Sequence, residues 1–86
     1  MVYKIVFTKQ THKVLLRLPH NVAVTIQEKL EQLAIDPYSQ NINATKLQNR
    51  SGYRLRIGDW RVIYEIQKDK LIILVLKIAP RGDVYR

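Results

Sequence analysis

Apolar and polar residues alternate over two adjoining stretches, Tyr53-Arg54-Leu55-Arg56-Ile57 and Trp60-Arg61-Val62-Ile63-Tyr64, joined by Gly58-Asp59. Side chains of a strand point alternately to its two faces, and a short Gly-Asp connection between such runs signals a hairpin. The turn fixes the register: Ile57 faces Trp60, Arg56 faces Arg61, Leu55 faces Val62, and Arg54 faces Ile63. Leu55, Ile57, Trp60, Val62 and Tyr64 then share one face, while Arg54, Arg56 and Arg61 share the other. Like charges placed opposite each other across two strands repel. Their presence here points to an anion, which we take to be RNA phosphate.

The same pattern orders the rest of the chain. Val2-Tyr3-Lys4-Ile5-Val6-Phe7 predicts a strand with Tyr3, Ile5 and Phe7 on one face. Thr8 is placed to cap a short helix running to about Leu18, with Val14, Leu15 and Leu18 as its apolar positions. Pro19 interrupts that helix and suits the first turn of the next. The second helix carries Val22, Ile26, Leu30 and Leu33, with Ala23 and Ala34, at spacings of three and four, and closes at Asp36-Pro37.

Residues 38–45 are polar and predict a connection; Lys46-Leu47 opens a short extended segment that Asn49-Arg50-Ser51-Gly52 breaks. A second hairpin runs from Trp60 to Gln67, turns at Lys68-Asp69 and returns from Lys70 to Ile78. Its expected register sets Ile66 against Leu71, Tyr64 against Ile73 and Val62 against Val75. Leu71 to Leu76 is apolar on both faces, which predicts cover on two sides. In that register Ile63, Leu74, Leu76 and Ile78 form an apolar patch beside the arginines, of the kind a partner covers. A tail follows, held extended at its start by Pro80. The expectation is a single α+β domain over residues 1–86: a strand, a two-helix hairpin, then an antiparallel meander completing one sheet packed on the helices.

Composition narrows the chemistry. The chain has no cysteine, which excludes disulfides and thiolate metal sites. Its N-terminal stretch lacks the apolar run of a signal peptide or membrane span, so a cytoplasmic protein without a membrane partner is expected. The net charge is +8 and uneven. Residues 1–45 hold five Lys/Arg against three acids, whereas residues 46–86 hold ten against four. Such a surface attracts nucleic acid, anionic membrane or acidic protein.

His12 and His20 are far in sequence from the arginine face and suit solvated or capping roles. Asp36, Asp59, Asp69 and Asp83 are scattered through turns and the tail, a pattern of local hydrogen bonding rather than of a metal site. No metal or cofactor is expected. What remains is cationic: Arg54, Arg56 and Arg61 on one face, with Arg81 in a Pro-Arg-Gly turn that can return it to that face. Arginine offers planar, bidentate donors to phosphate oxygens. Tyr85 is the best aromatic candidate, for stacking on a base or for proton exchange. RNA brings its own nucleophile, the 2′-OH.

The chain resembles the RelE/ParE superfamily of bacterial and archaeal toxins over essentially its whole length. The resemblance rests on Gly52 through Tyr64, on the ending Pro80-Arg81-Gly82-Asp83-Val84-Tyr85, and on Tyr3-x-Ile5-x-Phe7 followed by two helices with Leu18-Pro19 between them. It is most similar to the RelE branch, small cationic ribonucleases that cut messenger RNA in the ribosomal A site. That resemblance implies a metal-independent attack of the 2′-OH on the adjacent phosphate. Arg61, Arg81 and Tyr85 match the family's catalytic positions. Arg54 and Arg56 match its basic strand positions, and Lys46 joins them as an RNA-binding candidate. Many relatives carry a histidine immediately before the Arg81 position; Pro80 stands there in this chain. The resemblance also implies a RelB-type antitoxin partner, contact with ribosome and mRNA, and binding of operator DNA by the toxin–antitoxin complex. Two other readings are a ParE-like toxin that binds DNA gyrase and an inactive module that binds antitoxin or regulates transcription.

Overall fold

The computed structural model describes residues 2–39 and 43–82. Its elements follow the order β1 (Lys4–Phe7), α1 (Lys9–Arg17), α2 (His20–Ile35), β2 (Ala44–Lys46), β3 (Tyr53–Ile57), β4 (Trp60–Gln67) and β5 (Ile72–Pro80). All five strands form one sheet in the order β1-β5-β4-β3-β2. β1 runs parallel to β5 and every other neighbouring pair is antiparallel.

Local chemistry explains the helices. Thr8 caps α1, its hydroxyl oxygen accepting from the Thr11 N–H. Thr11 is buried, and its hydroxyl donates to the Val75 carbonyl at 3.1 Å, which fastens α1 to β5. Pro19 stands at the N-cap of α2, where it has no N–H to leave unpaired. Ile26, Leu30 and Leu33 are fully buried at the spacing expected of one helix face. Each contributes about 1.5–3 kcal/mol by leaving water. They pack with Leu55, Ile57, Val62, Tyr64, Ile73, Val75 and Ile78 in the main core, against which Tyr3, Ile5 and Phe7 lie half-buried.

The β3–β4 hairpin has the register that its turn dictates: Ile57 pairs with Trp60, Arg56 with Arg61, Leu55 with Val62 and Arg54 with Ile63. Gly58 takes φ of 55°, as a type II′ connection requires of its first central residue.

The second hairpin departs from expectation. Ile66 pairs with Ile73 rather than Leu71, Tyr64 with Val75 rather than Ile73, and Val62 with Ile78 rather than Val75. Lys68-Asp69 has no glycine to support a two-residue turn. The chain instead uses a longer connection, with Leu71 at φ of 54°, so β5 begins at Ile72. A shift of two keeps Ile73 and Val75 on the core face. A bulge then interrupts the ladder between Ile63 and Tyr64, where Tyr64 pairs with Val75 but Ile63 with Lys77. The extra residue, Leu76, reverses the phase of everything after it.

Ile78 therefore lies in the helix-side core at 5% exposure, not on the arginine face. The expected open patch is also largely closed: Ile63 is 1% exposed and packs with Ala79, Leu76 and Leu47. The segment expected to begin at Lys46-Leu47 is β2, which ends at Lys46 and draws Ala44 and Thr45 from the predicted connection. Pairing with β3 overrides the polar character of those residues.

Candidate functional site

The sheet face turned away from the helices is assembled in cross-strand rows. Arg56 and Arg61 share one row with Ala79, and Thr45, Arg54, Ile63 and Lys77 share the next. Arg81 follows β5 directly, and its N–H donates to the Asp59 carbonyl at 2.8 Å. That bond ties the end of the last strand to the central turn.

Arg61 is the most buried cation of the group. It is only 7% exposed, and its Nη1 donates to the carbonyls of Gly58 and Trp60, each at 2.9 Å. The hairpin turn thus holds one end of the guanidinium, while Nε and Nη2 make no hydrogen bond among the described residues. Its pKa is lowered, first by loss of water and then by the charges of Arg56, Arg81 and Arg54; Asp59 opposes this weakly. The fold holds a crowded positive site together, and an arriving anion relieves it.

A groove of about 270 Å³ lies over this row, lined by Asn43, Ala44, Thr45, Arg54, Arg56 and Arg61. Arg54 is half-buried, while Arg56, Arg81 and Lys46 are exposed. Lys46 lines an adjoining cavity that shares Arg54. Arg54, Arg56 and Arg61 are therefore brought together as the alternation predicts, with Arg81 within electrostatic reach of Arg61. Tyr85 lies outside the described residues. His12 and His20 border a different groove with Phe7 and Leu16, on the helix side.

Two features escaped the sequence reading. Lys77 enters the Arg54 row because of the bulge. The only sequence trace of this is a change of phase, since Ile73 and Val75 are core-facing and Ile78 is too. Gln48 and Arg50 line the cavity beside Arg54, in a segment where no alternation marks a face.

A family model described as the ParE toxin of type II toxin–antitoxin system, parDE, matches residues 5–85. No curated protein sequence matches significantly. Among solved structures, a chain of the archaeal RelE–RelB complex from Pyrococcus horikoshii OT3 is 32% identical, with a TM-score of 0.82 covering 98% of this chain and all of that one. A chain of the Mycobacterium tuberculosis toxin–antitoxin complex RelBE2 shares the fold at 21% identity and TM-score 0.80, covering 94% of this chain and 100% of that one. The isolated Escherichia coli RelE toxin shares it at 18% identity and TM-score 0.78, covering 91% and 83%. With its whole sheet and helix hairpin accounted for by these matches, the chain belongs to the ParE toxin family of the RelE/ParE superfamily, toxins of type II toxin–antitoxin systems with the RelE-like α+β fold.

Proposed function

We propose that this toxin is a ribosome-dependent endoribonuclease that cuts mRNA in the A site. The observation that carries the reading is Arg61, nearly buried and clamped by two backbone carbonyls rather than by a carboxylate, beside Arg54, Arg56 and Arg81. In the reaction the 2′-oxygen of one nucleotide forms a bond to the adjacent phosphorus, and the bond from phosphorus to the 5′-oxygen breaks. The proton lost by the 2′-OH is balanced by one gained at the leaving 5′-oxygen. The products are a 2′,3′-cyclic phosphate, or the 3′-phosphate it hydrolyses to, and a 5′-OH.

Arg61 and Arg81 stabilise the charge that builds on the phosphoryl oxygens, the task to which preoriented donors contribute most. Arg54, Arg56 and Lys46 hold the flanking backbone. Pro80 supplies no base, and both histidines border another surface, so proton exchange and base stacking are assigned to Tyr85. A tyrosine is a weak base near neutral pH, and a guanidinium group brought close to one favours its ionised form. Charge stabilisation by arginine is the basis for a metal-independent reaction without a cofactor.

A RelB-type antitoxin is the proposed protein partner, in line with the RelE–RelB complexes that share this fold. Its complex with the toxin is proposed to bind operator DNA. The ParE name of the family model keeps gyrase binding as the competing reading.

The test is addition of purified toxin to programmed ribosomes, with cut sites mapped by primer extension. A-site cuts that Arg81→Ala abolishes are the expected result. An intact message together with trapped gyrase–DNA complexes overturns the proposal in favour of gyrase binding, and an intact message with neither leaves an inactive binding module.

A further inference from the structure

The connection between β2 and β3 frames a second cavity, of about 350 Å³, adjoining the arginine groove. Thr45 and Arg54 line both, and Lys46, Leu47, Gln48 and Arg50 complete the second. The connection is held at several points. The Leu47 N–H donates to the Gly52 carbonyl at 3.0 Å, and the Leu47 side chain packs on the Ile63–Ala79 cluster. The Ser51 hydroxyl donates to a Glu65 carboxylate oxygen at 3.5 Å. Asn49, at φ of 64°, turns the chain between them. A cation carried on a preformed loop loses less freedom on binding than one on a mobile segment.

Apart from Ala44 and Leu47 the lining is cationic and polar, and no acidic residue contributes to either cavity among the described residues. Arg54 and Arg56 are two residues apart on β3, about 7 Å at the rise of an antiparallel strand. Arg54 lines both cavities and so joins the second to the Arg56–Arg61 pair.

We infer that this cavity is a second backbone subsite for the same single RNA strand. Arg50, with Lys46 and Gln48, receives the phosphate next to the one held at Arg61, and Leu47 gives the ribose an apolar wall. The inference rests on the RNA-cleavage reading and adds to it the path of the substrate and a residue, Arg50, with a binding role. An acidic peptide offers similar charges, but Thr45 and Arg54, shared with the groove over Arg61, favour RNA.

The test uses the full-length protein and a labelled, uncleavable 2′-O-methyl RNA of about ten nucleotides, within the usual span of single-strand grooves. Affinity is measured by fluorescence anisotropy over a series of salt concentrations. Each phosphate contact on a single strand adds about 0.7 to the slope of log affinity against log salt. Arg50→Gln is expected to lower that slope by about 0.7 and to weaken binding about fivefold at 0.1 M salt. Arg50→Lys is expected to keep most of the slope. Lys29→Gln, an equal change of charge on the exposed side of α2, is expected to leave it unchanged.

Failure of the wild-type protein to bind, Arg50→Gln binding like wild type, or Lys29→Gln losing as much, overturns the subsite. So does an Arg50→Gln defect confined to an acidic peptide. Ribosomal cleavage separates the two claims. Cuts that map to the A site while Arg50→Gln binds RNA normally remove the subsite alone; an intact message with the predicted slope change removes the nuclease alone.

Discussion

Tyr64 joins two contributions of opposite sign in one side chain. Its ring is fully buried and stacks on Tyr53, with centroids 5.6 Å apart and planes inclined by 16°. Its hydroxyl is buried without a hydrogen-bond partner among the described residues. A buried polar group left unsatisfied costs about 1–3 kcal/mol. Tyr64→Phe keeps the ring and removes that cost, so it should stabilise the fold by about 1–2 kcal/mol. Tyr64→Ala should instead cost about 3–5 kcal/mol through loss of the ring.

The assay is urea unfolding of the three proteins, with equal m-values as the sign that only stability has changed. Alkaline pH gives a second reading. Burial, and secondarily Tyr53, push the Tyr64 pKa up. The native hydroxyl then stays protonated where that of the unfolded chain ionises, near pH 10. Stability from this group is fully present below that pH and falls as pH rises beyond it, by at most about 1.4 kcal/mol per unit. Tyr64→Phe should lack this component. A Phe variant less stable than wild type would show that the hydroxyl is satisfied, and one with the same alkaline decline would show that Tyr64 does not cause it; either result refutes the reasoning.

Gly52→Ala should cost about 1–3 kcal/mol in thermal or urea unfolding, because Gly52 has φ of 110° and its added Cβ meets the Tyr64 carbonyl oxygen at 3.0 Å. Gly58→Ala should cost less, since nothing lies within 4 Å of its added Cβ and only the backbone conformation opposes it. Arg61→Lys keeps the charge but cannot bridge two carbonyls while presenting a planar fork. It should slow cleavage on ribosomes by roughly 10²–10³-fold with the fold intact by circular dichroism.

The central hairpin was legible because its information is local. A glycine turn and strict alternation set one register, and that register gathers Arg54, Arg56 and Arg61. The α1 cap and the apolar face of α2 were legible for the same reason. The β4–β5 pairing was not, since a Lys-Asp turn signal does not fix loop length and the bulge at Leu76 depends on tertiary packing. That one residue moved Ile78 to the core and Lys77 to the arginine side. The parallel pairing of β1 with β5 joins segments remote in sequence and leaves no local mark. The role inferred for Arg50 was hidden too, because the loop carrying it is shaped by Leu47 anchoring on Ile63 rather than by its own periodicity.

The central claim is that these guanidinium groups restrain an RNA backbone while its own 2′-oxygen attacks. The most direct measurement places a single 2′-deoxynucleotide on the 5′ side of the mapped cut in an A-site codon on the ribosome. Cleavage of the all-ribose message to a 5′-OH fragment, with none at the deoxy position, is the expected result. Cutting at the deoxy position at the normal rate would contradict it.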